Sequence, residues 1–447
     1  MTLRSTLLAA LVAAVPVIAP ASALDVQKVV SPGGVEAWLV EDATNPIVAV
    51  NVMFRGGAAL DPEDRPGAAR FLAAMLDEGA GDLDSRAFQT RLEDLSIELS
   101  FGANRESLTA SARTLSETLE ETFRLMGLAL SQPRFDDAPL ERIRGQLTAR
   151  LRADEADQEQ MAARLLREVA FPDHPYGRAV DGAVESAAAM TADDLRAAHA
   201  RGIARDRLIV SVAGDVSAEM LAPMLDLAFA GTPARAAVDW RVAEASPEGL
   251  GRILAVDYDA PQTRAFFMQP GPARDDPDWF ALALVNHVLG GGGFASRLVD
   301  EVREARGLAY SVYSALAPRQ AAPIWFGGFA TANERFEEAW NVVRAEWRRM
   351  AEDGPTDSEL ADAKAYLIGS FALRFTSTRS IAGVLTAMQR DGLALDYAER
   401  RAALINAVTI EDARRVAARW LDPDRLLLSV AGRPDGPPEA RIPASDG

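Results

Sequence analysis

The sequence predicts an α+β protein of two homologous α/β sandwich domains, each a largely antiparallel sheet packed with helices, arising from an internal duplication. Three observations carry this expectation. The run from Thr191-Ala-Asp-Asp194 to Leu208-Ile-Val-Ser-Val-Ala-Gly214 returns 218 residues later, from Thr409-Ile-Glu-Asp412 to Leu426-Leu-Leu-Ser-Val-Ala-Gly432. Thr191/Thr409, Asp194/Asp412, Arg196/Arg414, Asp206/Asp424 and Arg207/Arg425 align without a gap, and repeats of this kind are the first thing to settle before assigning domains. Each half mixes apolar alternation, the mark of a strand, with helical spacing, as expected of helices laid on a sheet. Finally, 447 residues, 49% of them hydrophobic, supply a core for each half, and 25 Pro with 32 Gly fall below the level of disordered composition.

In chain order, the first element is a targeting segment. Residues 1–23 carry one charge, Arg4, then an apolar run from Leu7 to Ala19, then Ala21-Ser22-Ala23. That is the layout of a signal peptide with a small-x-small cleavage site, so export to the periplasm is expected. The run is shorter than the ~20 residues that span a bilayer and is broken by Pro16 and Pro20. No later segment is long and apolar enough to span either, so no membrane span is expected.

The first domain is expected over 24–230. Glu36 to Val40 and Pro46 to Phe54 alternate as strands; Pro66 to Glu78 and Arg86 to Leu95 read as helices. Leu140, Ile143, Leu147 and Leu151 recur at helical spacing, predicting an amphipathic helix from Leu140 to about Ala153. Thr191 followed three residues later by Asp194 is a capping-box-like start, leading through an Asp-Arg turn to a β-rich run closed by Gly214. Residues 231–251, with Pro233 and Pro247 and no sustained period, read as a linker. The second domain, 252–433, repeats the order: a strand at Thr263 to Met268, a helix from Trp279 to Leu289, the run Gly290-Gly-Gly-Gly293, a helix over Leu298 to Arg306 and a strand at Leu308 to Leu316. Residues 434–447 read as a flexible tail.

Composition excludes several chemistries. With Cys 0 there is no thiol nucleophile, iron–sulfur cluster or cysteine-bound zinc. A net charge of −18 without a basic patch speaks against nucleic acid as a partner. The three histidines, His174, His199 and His287, lie too far apart in sequence for a local metal motif. His287, flanked by Val285, Val288 and Leu289, reads as a core residue and His174, before Pro175, as a loop residue. The glycine run has no Lys-Ser/Thr ending and follows a helix, so it is not a phosphate loop; flexibility is the simpler account of it.

Several segments together carry a family resemblance: Phe54-Arg-Gly-Gly57 leading to Gly67-Ala-Ala-Arg-Phe-Leu-Ala-Ala-Met-Leu76, Phe171-Pro-Asp-His-Pro-Tyr-Gly177, Leu289-Gly-Gly-Gly-Gly-Phe-Ala-Ser-Arg-Leu298, and Arg303 to Tyr310. The chain resembles the pitrilysin/insulinase-like peptidases, inverzincins, and among them the small two-half subunits related to mitochondrial processing peptidase. Active members carry His-x-x-Glu-His on a helix and a further ligand Glu about 75 residues on, because i and i+4 share a helix face and can hold one zinc while the Glu polarises its water. Here the corresponding positions are Arg70, Ala73 and Ala74, with Arg150 near the place of the downstream Glu. Alanine offers no ligand atom and arginine is permanently cationic, so no zinc is expected in this chain.

The other half of the family's site is present. The resemblance implies that Arg303 and Tyr310, seven residues apart, reach a bound peptide and donate to its carbonyl as it becomes an oxyanion. The plainer alternative is that Arg303 pairs with Glu301 or Glu304 and Tyr310 packs. The expected function is a zinc-less subunit of an exported heterodimeric metallopeptidase, with zinc and peptide cleavage residing in a homologous partner subunit and a peptide as substrate. The alternative is a non-enzymatic structural or peptide-binding protein on the same fold. Cleavage by this chain alone would need ligands the sequence lacks.

Overall fold

A computed structural model describes residues 25–435 and 440–443. The expected signal peptide at 1–23 lies outside the described residues.

The first half contains strands β1 (Gln27–Val30), β2 (Glu36–Glu41), β3 (Ile47–Arg55), the two-residue hairpin strands β4 (Gly79–Ala80) and β5 (Leu83–Asp84), β6 (Glu98–Ala103), β7 (Ser107–Leu115) and β8 (Leu208–Gly214). Its helices are α1 (Ala68–Met75), α2 (Ser85–Asp94), α3 (Leu119–Ser131), α4 (Asp137–Glu155), α5 (Gln158–Ala170), α6 (Val184–Ala189), α7 (Ala192–Gly202) and α8 (Ala218–Phe229). The main sheet runs β1-β2-β8-β3-β7-β6 and is antiparallel except where β2 meets β8.

The second half contains β9 (Ile253–Asp257), β10 (Gln262–Pro270), β11 (Ala309–Ala317), β12 (Ile324–Ala332), β13 (Leu427–Ala431) and β14 (Ala440–Pro443). Its helices are α9 (Trp279–Asn286), α10 (Phe336–Asp353), α11 (Asp357–Ala372), α12 (Thr378–Arg390), α13 (Tyr397–Asn406) and α14 (Ile410–Trp420). The order β11-β12-β10-β13-β9-β14 repeats the first sheet. The parallel pair β9/β13 joins Leu254 to Ser429 as β2/β8 joins Trp38 to Ser211. Both copies of the repeated helix, α7 and α14, start with the capping box read from sequence, Thr191 with Asp194 and Thr409 with Asp412.

The central strands are buried on both faces, which is why β8 and β13 read as almost unbroken apolar runs. One face of each sheet meets its own half's helices, around Phe71, Phe88 and Phe123 in the first half and Trp325, Trp340 and Trp347 in the second. The other face is covered by a helix from the opposite half. Ile381, Ala382, Leu385 and Met388 of α12 pack on Trp38, Val40, Ala49 and Ala213. Reciprocally, Ala162, Leu165, Leu166 and Ala170 of α5 pack with Leu254, Val256, Met268 and Leu427. The duplication therefore produces an exchange of helices. A buried polar lock accompanies it: the Ser211 hydroxyl is met by Thr386 Oγ1 at 3.0 Å and Gln389 Nε2 at 2.8 Å.

Three expectations are corrected. The α-helix begun at Trp279 ends at Asn286 and continues as a π-helical turn over His287–Gly291; the helix expected over 298–306 is π-helical over Val299–Glu304. Residues 440–443 of the expected tail form β14, parallel to β9. The linker enters β9 directly, so a strand from the C-terminus covers an edge whose N–H and C=O groups would otherwise lie open.

Candidate functional site

The site assembles where α9 turns into the glycine run. Asn286, the last residue of α9, accepts from Ser314 Oγ on β11 and Trp325 Nε1 on β12, both at 2.9 Å. The following π-turn lies against β11 so closely that a Cβ on Gly290 would stand 2.6 Å from Ser314 Oγ and 2.7 Å from Ser314 N. Glycine is needed here for close approach, in place of the flexibility expected from sequence.

Past the run, Arg297 is buried and grips Glu359 with a two-pronged contact, Nε to Oε1 and Nη2 to Oε2, both 2.6 Å, while Nη2 also reaches the Gly354 carbonyl at 3.0 Å. Glu359 in turn closes the capping box with Thr356 at the start of α11. Burial opposes the charge on Glu359, but Arg297 and Thr356 outweigh it and hold the carboxyl at about 2. This ties the loop to α11 and fixes the direction in which the next segment leaves.

That segment is the π-helical turn bearing Arg303. Gly307, at φ 59°, reverses the chain as expected of a residue just past a helix end, and β11 begins two residues later. Ala309 pairs with Thr331 and Ser311 with Ala330, so Tyr310 has no cross-strand partner and forms a β-bulge. Bulges re-aim a side chain, and the Tyr310 ring points outward, 82% exposed. The Arg303 guanidinium lies 4.7 Å from the Tyr310 ring centroid and 4.7 Å from that of Phe294, which is itself 73% exposed. The structure thus brings the two predicted residues together and adds a third, Phe294. Arg303 also meets Glu304, Nε to Oε1 at 3.2 Å, whereas Glu301 binds Arg306 and Arg349. The ion-pair alternative holds for Arg303 with Glu304; the packing alternative fails for Tyr310. Chemically, the cluster presents a phenol and the remaining guanidinium N–H groups on a surface with aromatic flanks, a set of donors suited to an oxygen-rich backbone or an anionic oxygen.

The degenerate motif positions lie elsewhere, on α1 and α4, which pack together. Arg70 Nε pairs with Asp181 Oδ1 at 3.1 Å. Ala73 is buried, and Ala74 is packed against the core. Arg150 lies on α4, half-exposed, with Asp154 at 3.7 Å. These four residues do not fit a zinc ion: two have no donor atom and two are cations. Among the described residues no group of three or more His, Asp or Glu is placed to hold a metal. His287 is buried and stacks on Tyr366 at 4.8 Å, and burial lowers its pKa. His174 caps a short turn, its Nδ1 accepting from the Tyr176 N–H at 3.1 Å.

Comparison with known proteins gives a consistent likeness. The family model described as insulinase, peptidase family M16, matches residues 37–183, and that of the peptidase M16 inactive domain matches 189–367. A crystal structure described as a peptidase M16 inactive domain from Pseudomonas fluorescens superposes with a TM-score of 0.85 at 30% identity, covering 94% of this chain and 100% of that one. The Helicobacter pylori protein called non-peptidase homolog YmxG is 29% identical over 74% of this chain and 76% of its own. A Mycobacterium tuberculosis protein called an uncharacterized zinc protease is 28% identical over 90% of this chain and 92% of its own.

Proposed function

Since the chain belongs to the M16, insulinase-like peptidase family and has no zinc ligands at its motif positions, we propose that it is the zinc-less subunit of a heterodimeric M16 metallopeptidase. In this reading a homologous partner subunit carries the zinc and this chain supplies Arg303 and Tyr310. The observation that carries it is the exposed Arg303–Tyr310 contact on a bulged strand end. Tyr310 and Phe294 are both exposed and flank the Arg303 guanidinium, and an exposed aromatic patch of this kind supports a surface that a ligand covers.

The chemistry asked of this chain is positional and electrostatic. Arg303, steadied by Phe294 and Glu304, would donate to the peptide carbonyl or an adjoining carboxylate. The Tyr310 hydroxyl would donate to the carbonyl oxygen as negative charge develops there. Donors fixed in advance gain most when the closing of two subunits excludes water. The peptide is the substrate; export to the periplasm belongs to the same proposal and rests on the sequence of residues 1–23.

A second reading, a peptide-binding or structural protein without catalysis, is favoured by the likeness to a relative called a non-peptidase homolog. Metal analysis and a peptide-cleavage assay on the purified chain are the first test. The expected result is no stoichiometric zinc and no cleavage. About one zinc per chain, lost on changing Arg70 or a neighbour in the motif, would overturn the proposal.

A further inference from the structure

The seam between the halves holds a cavity of about 230 Å³ that the peptidase chemistry does not use. Its charged lining is Glu106 from the β6–β7 turn, Arg274 and Asp275 after β10, Arg319 in the β11–β12 turn, and Arg390 with Asp391 at the end of α12.

Most of these groups are committed to partners. Asp391 is held by Arg390, Nε at 2.7 Å and Nη2 at 3.1 Å, with Arg274 Nε at 3.7 Å. Glu106 accepts from the Tyr176 hydroxyl and, at 2.8 Å, from the Gln320 N–H. Arg274 also donates to Tyr397 at 2.9 Å. Asp275 is exposed at the rim.

Arg319 is different. Among the described residues its guanidinium meets no carboxylate within ion-pair distance and makes no side-chain hydrogen bond, and its Nη1 is buried without a partner. Glu106 attracts it only at longer range, and Arg105 and Arg167 lie near enough to repel. The residue is half-buried, but an Nη1 shut from water without an acceptor is costly, and the planar fork of arginine matches an oxyanion.

We infer that this seam cavity is a binding site for a small oxyanion, a carboxylate or a phosphate, whose oxygens take the free N–H groups of Arg319. The site is distinct from the Arg303–Tyr310 cluster at the other end of β11. It joins groups from both halves, so its ligand clamps the exchange of helices as well as satisfying one side chain.

Titration of the full chain by calorimetry and thermal unfolding tests this, with inorganic phosphate as one probe and an acetylated dipeptide, free acid against C-terminal amide, as the other. Saturable one-site binding of phosphate identifies a free oxyanion; binding of the acid but not the amide identifies a peptide end; either supports the site. Arg319→Gln should weaken binding ~10- to 100-fold, the worth of a charge-assisted contact, and without ligand should unfold at the same or a higher temperature, because it removes a half-buried charge that no carboxylate pairs. Should Arg319→Gln fail to fold, Asp275→Asn at the exposed rim decides: it should tighten binding by removing a repelling charge, and unchanged or weaker binding counts against the site. No binding of either probe at millimolar concentration, or wild-type binding by Arg319→Gln, overturns the inference.

Discussion

Arg297 and Arg303 are six residues apart and have opposite uses. Arg297 is buried with both prongs on Glu359; Arg303 lies between two exposed rings. Arg297→Ala should cost about 1.5–3 kcal/mol in unfolding free energy, as expected for a lost hydrogen bond to a charged group, measured by urea denaturation. The pair also sets an acid-side dependence. Glu359 is held at about 2, below the 4.5 of an unperturbed glutamate, so the native state binds fewer protons than the unfolded chain. Its stabilisation is present above 4.5 and is lost as pH falls from there toward 2. Arg297→Ala should show a shallower loss of stability over that window than the wild type; parallel curves would contradict the assignment. At the positions the family resemblance assigns to the zinc motif, the combined change Arg70→His, Ala73→Glu and Ala74→His should not yield an efficient peptidase, because the same resemblance sets the cation Arg150 near the place of the third ligand. Substantial activity in that variant would show that Arg150 is not at that position. Arg303 and Tyr310 were singled out through the family resemblance, and the structure brings their side chains into contact. Phe294 was visible only as an aromatic after a glycine run, because its meeting with Arg303 depends on two turns whose course no local pattern specifies.

At the scale of elements, the candidate site owes its shape to departures from regular structure. The two π-helical turns carry the α9 line into the glycine run and present Arg303, and the bulge throws Tyr310 out of β11. Extra residues of this kind concentrate at functional positions. Sequence periodicity located a helix and a strand on either side of Gly307 but registered neither the π-turns nor the bulge, since one inserted residue barely alters an apolar pattern. Gly290→Ala tests how tightly this assembly is built. Its methyl would meet the backbone nitrogen of Ser314, so the turn or β11 must move. A loss of about 1–3 kcal/mol is expected, the usual range for overpacking, with a weakened effect of Tyr310 substitutions on any peptide affinity because the strand is displaced. An unchanged unfolding midpoint would mean that the turn gives way freely.

For the whole molecule, the duplication was legible because an ungapped repeat cannot be mistaken for chance. The exchange of α5 and α12 was not, since an amphipathic helix does not say whose sheet it covers. With each sheet packed against a helix of the other half, the halves are expected to unfold as one cooperative body. Leu385→Ala, on a fully buried α12 residue between the halves, should cost about 2–5 kcal/mol and lower a single calorimetric transition rather than split it into two. Two separated transitions would show that the halves unfold independently.

The same rigidity bears on function. A body locked in this way presents Arg303 and Tyr310 at a fixed place to whatever docks on that surface, which preorganised donors require. The most direct test is turnover by this chain reconstituted with a homologous zinc-bearing subunit, with assembly followed in parallel by sedimentation. The account predicts activity that neither chain has alone. It further predicts a fall of about 10² to 10³ in kcat for Tyr310→Phe, the cost of one oxyanion donor, at least as large a loss for Arg303→Ala, and unchanged assembly for Tyr310→Phe. A Tyr310→Phe complex that forms normally and turns over peptide at the wild-type rate would contradict it.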